Sequence, residues 1–170
     1  MAILRLGLVL LLILALPGAR ARAADPATPA GLYDRPTLVI DPGMHTAMIN
    51  RASADAAGRW AVTGSDDKTV RIWSPSDGAP VRTIRLPAGP GSVGMVYAVA
   101  MSPDGSLVAA GGFTAPSGQP QQIYLFDRAS GKLVHRIGGL PNVVLHLAFS
   151  PDGSLLAAAL GAANGIRIYA

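Results

Sequence analysis

Gly89-Pro90-Gly91-Ser92-Val93-Gly94 has the G-x-G-x-x-G spacing of a loop that cradles a dinucleotide phosphate, and it follows a strand-like run. Such a loop works by opening a helix whose N-terminus faces the pyrophosphate. Here Met95-Val96-Tyr97-Ala98-Val99-Ala100-Met101 comes next and reads as a buried strand, so the glycines belong to a loop between sheets. Asp66-Asp67 supplies two adjacent carboxylates, short of the roughly six to eight oxygens that Ca²⁺ takes. His45 with Asp67 would make a catalytic or metal pair, but one His, one Thr and no second base form a poor active site. His135 and His146 stand isolated and read as satisfied or solvated strand residues. Gly-x-Ser-x-Gly, His-Glu-x-x-His and a phosphate loop ending in Gly-Lys-Ser/Thr do not occur. The reading is a chain with no catalytic residue, no metal and no cofactor.

The elements that would position any site begin after the N-terminus. Arg5, the apolar run Leu6 to Leu16, Pro17-Gly18 and Ala21-Arg22-Ala23 have the layout of a signal peptide over residues 1–23. The apolar run is too short for the roughly 20 residues of a membrane span, so no membrane association is expected after cleavage. That layout implies an exported protein, periplasmic or secreted. Removing it takes away Arg5, Arg20 and Arg22 and lowers the formal charge from +4 to +1, which argues against nucleic acid as a partner. Arg71, Arg82 and Arg85 cluster, but alternate arginines on strands read as a solvated face. The chain has no Cys, hence neither disulfides nor thiolate metal sites.

Every acid is Asp, only two Lys occur, and Gly and Pro together number 34, a composition of turns rather than exposed helices. The fold class read from it is all-β. Gly58, Gly105 and Gly153 recur 47 and 48 residues apart, each in the same phrase: Asp-Ala-Ala-Gly-Arg-Trp-Ala-Val-Thr-Gly at 55–64, Ser-Pro-Asp-Gly-Ser-Leu-Val-Ala-Ala-Gly at 102–111, Ser-Pro-Asp-Gly-Ser-Leu-Leu-Ala-Ala-Ala at 150–159. A period near 45 residues marks one supersecondary unit copied in tandem, burying apolar faces against its neighbours. After a leader at 24–35, strands are expected at 37–40, 48–54, 60–65, 69–73, 81–85, 95–101, 107–111, 123–126, 133–137, 143–149, 155–159 and 166–169. Pro second and Gly fourth in Ser102-Pro103-Asp104-Gly105 suit a type I turn, and Asn164-Gly165 signals a tight hairpin. The connection from Phe113 to Gln122 reads as a mobile surface loop.

Four strands per unit at this period make a propeller blade. Gly64-Ser65-Asp66-Asp67-Lys68-Thr69-Val70-Arg71-Ile72-Trp73 resembles the closing half of a WD repeat, and Gly43-Met44-His45 resembles its Gly-His element. Phe126-Asp127 and Tyr169 stand where later units would carry the Trp-Asp pair. The resemblance covers residues 36–170, in units of about 43–86, 92–137 and 140–170, and implies a partial β-propeller of about three four-stranded antiparallel blades. It is to an exported bacterial type of WD-repeat protein.

That resemblance implies a buried network of His45, Thr63, Asp67 and Trp73 in the first blade. Ser92 and Leu140 occupy the His position of later units, and Ala110 and Ala158 the Thr position, so those blades should rely on apolar packing. It also implies a partner-binding face at Asn50, Tyr97 and Leu145, with Asp66 beside them. The expected function is a non-catalytic scaffold for protein–protein interaction, the front part of a longer exported propeller protein. The alternatives are a propeller hydrolase or a propeller joined to a caspase-like domain. Counting strands leaves the third unit without its outer strand. A homodimer in which the strand at 37–40 of one chain completes the third blade of another would close a six-blade ring.

Overall fold

The computed structural model describes residues 40–170, so the expected signal peptide, the leader and the strand from Thr37 lie outside the described residues apart from Ile40. Ile40 itself is not in a strand. Eleven strands follow: β1 (Ile49–Ala54), β2 (Ala61–Ser65), β3 (Thr69–Ser74), β4 (Ala79–Arg85), β5 (Val96–Met101), β6 (Leu107–Gly112), β7 (Gln121–Asp127), β8 (Leu133–Leu140), β9 (Val144–Phe149), β10 (Leu156–Leu160) and β11 (Ile166–Tyr169). They form three antiparallel meanders in the orders β1-β2-β3-β4, β5-β6-β7-β8 and β9-β10-β11. Among the described residues the third sheet has three strands, as the count of strand-like runs implied, so β11 is its edge and lacks the neighbour that β4 and β8 give to β3 and β7.

Local chemistry explains the recurring hairpin between the first two strands of each sheet. Ser102 Oγ donates to Asp104 Oδ1 (2.6 Å) and accepts from the Leu107 amide (2.9 Å), while Asp104 Oδ1 accepts from the Ser106 amide (3.0 Å). Gly105 sits at φ +71°, a left-handed conformation that side chains resist. Ser150, Asp152 and Ser154 repeat these bonds in the third sheet. In the first sheet Asp55 takes the Ser102 position, and its Oδ1 accepts from the Trp60 amide at 2.9 Å.

The sheets stack face on face, with inner strand β5 lying between β1 and β9. Glycines set the stacking distance. A methyl at Gly64 on β2 would lie 2.6 Å and 2.8 Å from Cγ1 of Val96 and Val99 on β5, and one at Gly111 on β6 would meet Val144 of β9 at 3.0 Å. Val62, Val70, Ile72 and Ile84 of the first sheet therefore bury against Val96, Val99, Val108 and Phe126 of the second. Ile123 and Ala109 do the same against Val144, Leu147 and Leu156 of the third. Apolar area removed from water at these two boundaries is the main stabilising term.

Two sequence readings change, at Arg71 and at Asn164-Gly165, and the expected surface loop, exposed at 116–120, gains an anchor. Arg71 is buried, because a sheet covered on both faces has no wet side for an alternate arginine to reach. The Phe113–Gln122 connection is tied down by buried Gln121: its Oε1 accepts from the Thr114 and Ala115 amides (2.7 and 3.0 Å) and its Nε2 donates to the Ala115 and Gln119 carbonyls. Asn164-Gly165 closes a 3-10 turn over Ala162–Asn164 instead of a two-residue hairpin; Ala162 at φ +53° and Gly165 at φ +67° carry the reversal.

Candidate functional site

The segment from Asp41 to Met48 crosses the face of the first sheet that points away from the second, and it brings His45, Thr63, Asp67 and Trp73 together. His45 Nδ1 lies 2.8 Å from Asp67 Oδ2, and His45 Nε2 lies 2.7 Å from Thr63 Oγ1. A carboxylate only accepts, so Nδ1 carries the proton and Nε2 accepts from the Thr63 hydroxyl. Thr63 Oγ1 in turn accepts from Trp73 Nε1 at 2.8 Å. Asp67 also accepts from the Thr46 amide (3.0 Å), the Thr69 amide (3.0 Å) and the Thr69 hydroxyl (2.6 Å). Burial pushes the Asp67 carboxyl up, but the Thr69 hydroxyl, His45 and the Thr46 amide together hold it below its ordinary value.

The connectivity is that of a hydroxyl–imidazole–carboxylate triad, yet its chemistry is spent internally. The Thr63 oxygen already accepts from an indole N–H, and the His45 and Asp67 side chains are 3% and 6% exposed. A substrate carbonyl has no approach to a hydroxyl placed this way. Among the described residues, no three His, Cys, Asp or Glu side chains come together where a metal could sit.

Beside the network lies an ion pair for which the sequence gives no local signal. Buried Arg71 donates through Nη2 to Asp41 Oδ1 (2.7 Å) and through Nη1 to Thr83 Oγ1 (3.0 Å), while Arg85 Nη2 approaches Asp41 Oδ2 at 3.7 Å. The Arg71 guanidinium and the Gly43 amide hold the Asp41 carboxyl below the usual carboxylate range. Thirty residues separate Asp41 from Arg71.

Asn50, Tyr97 and Leu145 occupy one structural position three times. Ile49 faces Ser65 and Arg51 faces Gly64, so Asn50 is the extra residue of a β-bulge. Tyr97 is the extra residue between Val96 and Ala98, and Leu145 between Val144 and His146. A bulge leaves its residue out of the ladder and re-aims the side chain. All three therefore lie at the same end of the stacked inner strands. They are not equally free. Asn50 Nδ2 donates to Asp66 Oδ1 (2.7 Å) and to the Val96 carbonyl (3.1 Å), tying the first sheet to the second. Tyr97 is half-buried, edge-on to Phe113 with ring centres 5.1 Å apart, and Leu145 is exposed.

Comparison with known proteins places the repeats in a family. Residues 40–74, 78–114 and 131–169 match the WD40 family model, WD domain, G-beta repeat. Similar curated proteins are the ribosome biogenesis protein BOP1 homologs of Monosiga brevicollis, Aedes aegypti and Anopheles gambiae. The first is 46% identical over 44 residues, 26% of this chain and 6% of that protein. The second is 46% identical over 59 residues, 34% and 7%, and the third 42% identical over 87 residues, 49% and 9%. The chain thus spans less than a tenth of the length of these relatives.

These relatives correct the expected location. Exported, periplasmic or secreted placement is overturned by similarity to eukaryotic proteins named for ribosome biogenesis, a process carried out inside cells, and the exported bacterial qualifier falls with it. The signal-like composition of residues 1–23 is a pattern of charge and hydropathy alone, which an unprocessed segment can share. Since ribosomes are built on RNA, the names also give no support to the expectation that nucleic acid plays no part.

Proposed function

We propose that this chain, which belongs to the WD40 family of WD domain, G-beta repeat proteins, is a non-catalytic scaffold for protein–protein interaction. Its partner meets the end of the inner strands that carries the three bulge residues. The observation supporting this reading is the threefold recurrence of that bulge at Asn50, Tyr97 and Leu145. A bulge interrupts pairing without serving the core, and repeating it at one end presents three side chains side by side. Tyr97 and Leu145 supply aromatic and aliphatic anchors of the kind that dominate interfaces, and Asp66 adds a carboxylate held by Asn50. His45, Thr63, Asp67 and Trp73 brace the first sheet behind that surface. The alternatives of a propeller hydrolase and of a joined caspase-like domain gain no support from the relatives, whose similarity rests on 44 to 87 residues in the three proteins compared.

Photo-crosslinking tests the reading. A crosslinking amino acid at Leu145 should capture a discrete protein partner, while one at Ser154, on the hairpin at the other end of the strands, should not. Equal capture from both positions would remove the assignment of this end.

A further inference from the structure

Asn164-Gly165 is the one Asn-Gly pair in the chain, and nothing in the fold or the bulge surface uses its side-chain amide beyond the turn itself. That turn is irregular. Ala162 at φ +53° lies in the left-handed region that a side chain resists, Ala163 at φ −84° and ψ 30° is not helical, and Gly165 at φ +67° completes the reversal. The first residue of the turn is fixed, since buried Gly161 donates to the Val143 carbonyl at 2.8 Å. The last is uncrowded: Gly165 is exposed, and nothing lies within 4 Å of where a Cβ would stand. Between them the half-buried Asn164 side chain donates through Nδ2 to the Gly161 carbonyl at 2.7 Å.

We propose that Asn164 is a site of spontaneous covalent conversion, in which the Gly165 backbone nitrogen attacks Asn164 Cγ and the side-chain amide ends as a carboxylate. The Gly165 nitrogen loses its proton and bonds to Cγ, the Cγ–Nδ2 bond breaks, and that nitrogen leaves as ammonia. Water then opens the five-membered imide at either carbonyl, giving aspartate or isoaspartate, with nothing oxidised or reduced. Glycine permits the attack, because a side chain on the next residue would crowd the nitrogen. Ring closure needs the Asn164–Gly165 peptide to rotate, and a strained single turn opens at less cost than a strand held in a ladder. The other candidates are disarmed. Asn50 spends Nδ2 on Asp66 and the Val96 carbonyl and is followed by Arg51, while Asn142 is followed by β-branched Val143. Asp77, Asp104 and Asp152 precede glycines, but hydroxyl bonds from Ser74, Ser102 and Ser150 hold their carboxyls below the ordinary value, ionised and unreactive toward a nucleophile. The amides of Gly78, Gly105 and Gly153 are also committed, to the carbonyls of those same serines at 2.8, 2.9 and 2.9 Å.

Conversion changes the turn. A carboxylate cannot donate, so the bond to the Gly161 carbonyl is lost and two acceptors face each other. Isoaspartate also adds a carbon to the main chain between β10 and β11. The new charge arises at the end of the inner strands that carries Leu145, although the chemistry does not depend on the partner-binding reading above.

Incubation of the full folded chain at neutral and at mildly alkaline pH, followed by fragment-ion mass spectrometry and isoaspartate analysis, tests it. The expected result is a gain of one mass unit confined to Asn164 among the three asparagines, with aspartate and isoaspartate both present. The gain should come faster at the higher pH, because the Gly165 nitrogen must give up its proton. On ion exchange the converted chain should elute with the variant Asn164→Asp, one charge more acidic than the starting protein. Asn164 intact in the folded chain overturns the proposal, even where the same residue converts in urea, because the native turn then protects it. Conversion of Asn50 or Asn142 at an equal rate overturns the selection of this turn. Aspartate without isoaspartate overturns the imide route.

Discussion

The guanidinium of Arg128, just after β7, lies 4.2 Å from the centre of the Trp60 ring, immediately before β2, so that the second sheet grips the first by a cation–π contact. The same side chain donates through Nε to the Gly105 carbonyl at 2.7 Å, which fixes the plane it presents to the indole. Arg128→Ala is expected to lower stability by about 1 kcal/mol, the scale of such a contact at a partly exposed site. Arg128→Lys should recover only part, lacking the flat face. Urea unfolding midpoints measure both, and an alanine variant melting with wild type would show that the grip contributes nothing.

The glycine spacer between sheets gives a second test. An alanine at Gly64 would place its methyl 2.6 Å from Val96 Cγ1, closer than any real contact, and both neighbouring strands are held in ladders. Gly64→Ala should therefore cost about 1–3 kcal/mol through overpacking, despite the better strand propensity of alanine. Gly64→Ala combined with Val96→Ala, which removes the closest obstructing methyl, should recover part of that loss. If the double variant is the less stable of the two, the clash is not the cause.

Why the strands were legible and much of the site was not follows from where each signal is stored. Ser102, Asp104 and Gly105 bond within a few residues of one another, so their turn is written locally and fixes the strands on either side. Thr69-Val70-Arg71-Ile72-Trp73 alternates as a half-wet strand does, and only a third layer, the 41–48 segment, turns the Arg71 side into a second interior. Its partner Asp41 lies across that layer with no pattern linking the two. His45 and Asp67, 22 residues apart, were legible only through resemblance to a repeat family. The clasp of Arg128 on Trp60 joins two repeats, which a repeat-by-repeat reading separates.

Acid should test the hairpins before the core. The Ser102 hydroxyl, with the Ser106 amide and hydroxyl, lowers the Asp104 carboxyl to about 2, and Ser150 with Ser154 does the same for Asp152. A depressed folded-state value means that stabilisation is fully present above the ordinary 3.8 and is lost as pH falls from there through about 2. Carboxyl carbon NMR should show both residues ionised at pH 3, where an unconstrained Asp is mostly protonated. Ser102→Ala should move the Asp104 titration upward and leave Asp152 unchanged. Titration of both carboxyls near the ordinary value in the wild-type protein would contradict the bonds.

Thr63 holds the most demanding position, since it donates to His45 Nε2 and accepts from Trp73 Nε1 within 2.8 Å on both sides. Thr63→Ala leaves an imidazole acceptor and an indole donor without partners inside the fold, and the expected loss is about 1–3 kcal/mol. Thr63→Val keeps the shape and removes only the hydroxyl. If packing were the whole role, valine would restore stability; if the hydrogen bonds carry it, valine should fall close to alanine. Trp73→Phe removes the indole donor and spares the Thr63–His45 bond, so it should cost less than either. Combining Trp73→Phe with Thr63→Ala should then cost less than the two losses added, because the single Thr63 change already breaks both links. Additive losses would show that Trp73 and Thr63 act separately, and that the first sheet is held by packing rather than by the relay from Trp73 to Asp67.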